Sequence, residues 1–142
     1  PEIFETLEFS FDYLSVRLRE LAFLNRGIQI ILTDERNGKT HEFKYEGGIN
    51  SFVEYLNENK KVLFQKPIYI EGKRNGAEFE VAIQYNEGFQ ETILSFANNI
   101  NTIEGGTHLS GFKSGLTRAV NTYTKGQTFA KNEKIVPSGS DI

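Results

Sequence analysis

Apolar residues recur along this chain with two different periods, and the switches between them predict the order of its elements. From Ser10 onward, Phe11, Leu14, Leu18 and Leu21 fall at helical steps and predict a helix running to about Asn25. Ser10 is placed as its N-cap, Asp12 sits in the first turn where a carboxylate favours the helix dipole, and Gly27 is the stop. Arg17, Arg19 and Glu20 are expected on the outer side. Ile28 to Thr33 is a nearly continuous apolar run, the pattern of a buried strand, and Asn37-Gly38 is the turn pair of a tight hairpin. Its partner strand is predicted over Thr40–Tyr45, where His41, Phe43 and Tyr45 alternate with Thr40, Glu42 and Lys44 and share one half-buried face.

Gly47-Gly48 breaks that strand. Ile49, Phe52, Val53 and Leu56 then follow the spacing of a short amphipathic helix, ended by the charged run Glu58 to Lys61. After Pro67, Ile68-Tyr69-Ile70 and the alternating Phe79, Val81, Ile83 and Tyr85 flank an Asn75-Gly76 turn. Asn86-Glu87-Gly88 turns the chain again, and Phe89 to Ala97 is expected to add the third strand of a meander. The longest amphipathic pattern comes last. Gly105-Gly106 permit a sharp turn, Thr107 is placed to cap, and Leu109, Phe112, Leu116, Val120 and Tyr123 share one face of a helix starting near His108. Gly111 and Gly115 cost about 1 kcal/mol each relative to Ala in a helix, so close backbone approach to a sheet is expected along their line. The expected fold class is α+β, with this helix covering the meander. After Tyr123 the chain turns Lys/Gly/Gln/Ser-rich and ends in PSGSDI, which reads as a loop or lid.

Composition narrows the function classes. No apolar run approaches the ~20 residues of a membrane helix, which predicts a soluble protein with no membrane partner. Zero cysteines rule out disulfides and thiolate metal sites, and with no signal segment at the start the expected location is cytoplasmic. A net charge of −3 confines any nucleic-acid contact to a local basic face.

Candidate chemistry is sparse. His41 falls in a predicted strand and His108 at a helix start, with no partners at metal or triad spacing, so both read as structural. Ser110 and Ser114 lack a base at fixed spacing and a GxSxG elbow. Gly105-Gly106 belongs to neither a GxxxxGK[ST] nor a GxGxxG loop and reads as a turn before a helix. Glu87, Glu91 and Glu104 flank turns, where carboxylates are solvated. The reading is therefore no catalytic, cofactor-binding or metal residue within the chain. The basic set Lys113, Arg118 and Lys125 is the remaining candidate. Lys113 and Arg118, five residues apart, read as lying side by side on the helix, and by themselves they read as a solvated face.

Three stretches, RLRELAFLNRGIQIILTDER, YEGGINSFVEYLN and NNINTIEGGTHLSGFKSGLTRAVNTY, resemble the DNA gyrase B family of bacterial type IIA topoisomerases, in the right order and over nearly the whole chain. YEGGINSFVEYLN and GGTHLSGF favour gyrase over the similar B protein of topoisomerase IV. The resemblance implies that residues 1–45 are the C-terminal part of a GHKL ATPase domain and residues 46–142 the N-terminal half of a transducer domain with a left-handed β-α-β fold. It implies a parent enzyme that uses ATP and Mg2+ and whose partners are DNA, the gyrase A protein and a second gyrase B protein. Because the family's captured DNA passes a cavity lined by basic transducer residues, it also makes Lys113 and Arg118 the candidate contact for DNA phosphate. The family's magnesium-holding asparagine, catalytic glutamate, adenine-binding aspartate and ATP lid lie upstream of the matching residues, and its γ-phosphate lysine loop lies downstream. The piece alone is thus expected to bind no cofactor and to be inactive. The alternatives are a topoisomerase IV fragment, a non-catalytic α+β interaction module and, more remotely, a hydrolase using His108 or Ser110.

Overall fold

In a computed structural model, residues 7–126, 136–139 and 142 are described; Pro1 to Thr6 and most of the expected C-terminal loop lie outside them. The elements are α1 (Phe11–Leu24), β1 (Gln29–Asp34), β2 (Lys39–Lys44), α2 (Ile49–Leu56), β3 (Ile68–Arg74), β4 (Ala77–Ile83), β5 (Phe96–Ala97), β6 (Ile100–Asn101) and α3 (Thr107–Gly126). The class is α+β. The chain forms two compact units, Pro1–Glu91 and Thr92–Ile142.

In the first unit, α1 begins where its cap chemistry predicts: the Ser10 hydroxyl accepts from the Tyr13 amide at 3.3 Å. It stops before Gly27, whose φ of +80° suits glycine. The buried side is rotated from the expected stripe, because Ser15, Ala22 and Phe23 are buried whereas Leu21 is exposed. Arg19 is not an outward residue. Its guanidinium lies over the Phe43 and Tyr55 rings at 5.7 and 5.2 Å and donates to the Tyr55 hydroxyl at 2.7 Å.

β1 and β2 pair antiparallel from Gln29↔Lys44 to Asp34↔Lys39, around a turn in which Gly38 takes φ +72°. The expectation of a fully buried β1 fails. Burial alternates along it, and Ile31 is 61% exposed, so the strand has only one covered face. β2 alternates as expected, with Phe43 buried and His41 half-buried.

The core of this unit is aromatic. Phe23 is 1% exposed and is stacked between Tyr45, at a centroid distance of 3.6 Å, and Phe52 of α2, at 4.7 Å. β3 and β4 follow as a second hairpin, in register from Ile68↔Ile83 to Arg74↔Ala77. Asn75 and Gly76 take φ of +53° and +82°, the two left-handed residues of a type I′ turn.

The three-stranded meander does not form: the described strands pair two by two, and residues 89–95 belong to no strand. The polar run Gln90-Glu91-Thr92 spoils the alternation there. In the second unit, Asn98 and Asn99 at φ +48° and +64° make their own tight turn, so Phe96-Ala97 pair with Ile100-Asn101. α3 then runs to Gly126, beyond the Tyr123 after which composition predicts a loop.

Candidate nucleic-acid interface

The start of α3 is marked by Gly105, at φ +77°, and by local hydrogen bonds. The Ser110 hydroxyl donates to the carbonyls of Gly106 at 3.1 Å and Thr107 at 3.3 Å, so it is spent on the backbone and not held as a nucleophile. His108 Nε2 lies 3.4 Å from the Thr102 hydroxyl, which itself donates to the Ser95 carbonyl at 3.0 Å. That chain joins the first turn of α3 to the β5–β6 hairpin. His41 is likewise structural, with Nδ1 3.4 Å from the buried Ser15 hydroxyl and its ring edge-on to Phe11 and Phe43. Among the described residues, no group of three or more His, Cys, Asp or Glu side chains is placed to hold a metal ion. Glu87 pairs with Lys61 at 2.7 Å on the surface.

Along α3, Leu109, Phe112, Leu116 and Val120 are half-buried, Tyr123 is exposed, and no residue is fully buried. Gly111 and Gly115 have open space where a side chain would stand, among the described residues. The expected close approach to a sheet along that line is therefore not seen. At about 100° per residue, both glycines fall on the polar side of the helix, away from the apolar stripe. Arg118 and Lys125 fall on that side too, seven residues and about 20° apart. Lys113 stands about 140° from Arg118, on the flank of the stripe. Lys113 and Arg118 are both exposed, but they are splayed and not side by side. The hydroxyls of Thr117 and Thr122 donate to the carbonyls of Lys113 at 2.9 Å and Arg118 at 2.8 Å. Asn121 Nδ2 donates to the Pro137 carbonyl at 3.0 Å and ties the described tail segment to α3.

Other polar constellations carry no motif in the sequence. Tyr69, Glu71 and Glu80 meet on the β3–β4 hairpin. Asn57, Gln84 and Asn86 form a connected set of carboxamides at the end of α2. Strand alternation alone places Gln84 outward. The visible signal is an uncharged amide at each of these positions, which a reading by period treats as surface.

Helices set beside short antiparallel hairpins in this order are shared with solved ATPase-region structures of bacterial topoisomerases. The 43K ATPase domain of Thermus thermophilus gyrase B, solved with an aminocoumarin, is 41% identical with a TM-score of 0.77, over 88% of this chain and 34% of that one. The B-subunit of the Myxococcus xanthus DNA gyrase is 29% identical with a TM-score of 0.82, over 91% of this chain and 37% of that one. The class is thus that of a type II topoisomerase ATPase region. In sequence, the DNA gyrase B family pattern matches residues 48–142, and the DNA gyrase B protein of Clostridium acetobutylicum is 58% identical across the whole chain. The chain belongs to the DNA gyrase B family. It spans 22% of the length of that relative.

Proposed function

We propose that this chain is a coupling segment of a DNA gyrase: it joins the end of the GHKL ATPase domain, residues 1–45, to the first half of the transducer, residues 46–142. The intact enzyme uses ATP and Mg2+ to drive DNA strand passage and negative supercoiling. Its partners are DNA, the gyrase A protein and a second gyrase B protein, and it works in the cytoplasm. The observation that carries this reading is the Tyr45–Phe23–Phe52 stack, at 3.6 and 4.7 Å, because it runs straight across the proposed domain junction. A displacement of α1 in the ATPase part is passed to α2 through rings in contact, with little slack to absorb it.

On α3, Lys113 and Arg118 are the proposed contacts to DNA phosphate, with Lys125 beside Arg118. The isolated chain binds no nucleotide. Calorimetry with ATP and Mg2+ on this chain, beside a full-length gyrase B protein carrying it, tests the reading: heat is expected from the full-length protein alone, and binding by the isolated chain overturns it. For the phosphate contacts, Lys113→Ala with Arg118→Ala in the holoenzyme is expected to weaken DNA-stimulated ATP hydrolysis, most at low salt, where phosphate contacts contribute most to affinity. Unchanged supercoiling and stimulation at every salt concentration sink that assignment.

A further inference from the structure

α2 is attached on two sides by different chemistry. Its apolar side is held to α1 by ring stacking, and the Tyr55 hydroxyl accepts from Arg19. Its C-terminal end is held to the β3–β4 hairpin by carboxamides. Asn57, the C-cap residue and only 8% exposed, ends the helix with its backbone while its side chain opens a continuous chain of hydrogen bonds. Nδ2 of Asn57 donates to Oε1 of Gln84 at 3.0 Å, and Oδ1 of Asn57 accepts from Nδ2 of Asn86 at 3.0 Å. Gln84 Nε2 continues the chain to the carbonyls of Phe64 and Gln65, both at 3.1 Å. Asn86 Oδ1 closes it by accepting from the Gly88 amide at 2.8 Å. Backbone bonds run parallel to it, from the Leu63 amide to the Tyr85 carbonyl at 2.9 Å and from the Glu87 amide to the Lys61 carbonyl at 3.0 Å.

We infer that Asn57 is a positioning residue for energy coupling: its carboxamide locks α2 to the β3–β4 hairpin, so that the hairpin follows the ATPase end of the chain as one body. Carboxamide bonds are directional, so they fix the angle between helix and hairpin, whereas apolar packing alone tolerates sliding. The joint contains no ionised group, so it holds its angle across changes of salt and pH that loosen surface ion pairs. This rests on the coupling function proposed above.

The test uses the gyrase holoenzyme with a full-length B protein carrying this sequence, well below its melting temperature, and reads negative supercoils introduced per ATP hydrolysed. In Asn57→Leu and in Gln84→Met that ratio is expected to fall on the order of tenfold, while ATP turnover stays within about twofold. The double variant is expected to be no worse than either single one, because both break the same chain of bonds. Gly76→Ala, which strains the far turn of the same hairpin, is the control for simple loosening and should keep the wild-type ratio. An unchanged ratio in the single variants, additive losses in the double, or an equal fall in Gly76→Ala overturns the inference. If Asn57→Leu does not fold, Gln84→Met and Asn86→Asp decide by the same ratio. A wild-type holoenzyme that hydrolyses ATP without supercoiling DNA would instead refute the coupling function itself.

Discussion

The ring of Phe79 lies across Gly72, its register partner on the opposite strand, so closely that a methyl group at residue 72 would stand 2.5 Å from the ring's far edge. Two effects oppose each other at Gly72. Alanine in a strand is favoured over glycine by roughly 0.5–1 kcal/mol through chain entropy, but here it must push the ring off a cross-strand pair of similar worth. Phe79 is half exposed, so the ring has room to swing away. Gly72→Ala is expected to leave the stability of the wild-type chain nearly unchanged and to stabilise a Phe79→Ala chain by about 0.5 kcal/mol or more. Urea unfolding of the four chains checks it, and an equal change in both backgrounds refutes the ring contact.

Asp34 closes the β1–β2 turn by accepting from Arg36 three times: from the backbone amide at 3.0 Å, Nε at 2.9 Å and Nη2 at 2.8 Å. The Arg36 side chain holds the Asp34 carboxyl down at about 2, against an ordinary 3.8, although burial pushes the other way. A depressed value means that the unfolded chain takes up the proton first as pH falls. The contribution of Asp34 is therefore complete above pH ~4 and drains away as pH drops toward about 2. The stability difference between wild type and Asp34→Asn should be flat near neutrality and shrink through that acid window. A constant difference down to the lowest pH would show that Arg36 does not hold the carboxylate in solution.

Elements governed by adjacent residues are legible in the sequence. Ser10 caps α1 and Asn75-Gly76 turns β3 into β4 because cap and turn chemistry act within four residues, and the stripe Ile49-Phe52-Val53-Leu56 marks α2 by period alone. What fails depends on distant partners. Arg19 reads as outward because a charge on a helix usually is, and only the tertiary fold brings Phe43 and Tyr55 under it. Phe89–Ala97 reads as a strand from its apolar content, whereas the left-handed pair Asn98-Asn99 captures the pairing of Phe96. The exposure of Lys113 and Arg118 is legible, but a spacing of five does not set them side by side, because the helical repeat turns them apart. The carboxamides of Asn57, Gln84 and Asn86 carry no charge and no period, so nothing local marks them as a joint.

Tyr69 donates its hydroxyl between Glu80, at 2.7 Å, and Glu71, at 2.8 Å, and these carboxylates oppose each other across β3 and β4. The hydrogen bond to Glu80, then burial, then the bond to Glu71 push the phenol well above its ordinary 10.0. A raised folded value contributes stability below pH 10, which is lost as the pH climbs toward that value. In an alkaline titration followed by phenolate absorbance, Tyr69 should give a late step, well above its ordinary 10.0, in the folded chain. Tyr69→Phe should remove that late step and cost about 1 kcal/mol, since the two carboxylates then face each other unbridged. Survival of the late step in Tyr69→Phe would assign it to another tyrosine.

The α3 cations divide into two sets, and the division makes the proposed DNA contact testable in finer detail. A straight duplex laid along one helix meets one face of it, and Arg118 and Lys125 share such a face with Gly111 and Gly115, where no side chain holds the duplex away. Lys113 stands on the flank and meets phosphate only if the contact wraps round. Each phosphate neutralised releases counterions and steepens the dependence of log affinity on log salt by about one. In the gyrase holoenzyme, Arg118→Ala with Lys125→Ala should therefore flatten the salt slope of DNA binding by about two, and Lys113→Ala by less than one. Fluorescence anisotropy of labelled duplex DNA over a salt series reads these slopes directly. A larger change from Lys113→Ala than from the Arg118 and Lys125 pair would turn the DNA-facing side of α3 toward the flank. Identical slopes in all the variants would remove α3 from the contact altogether.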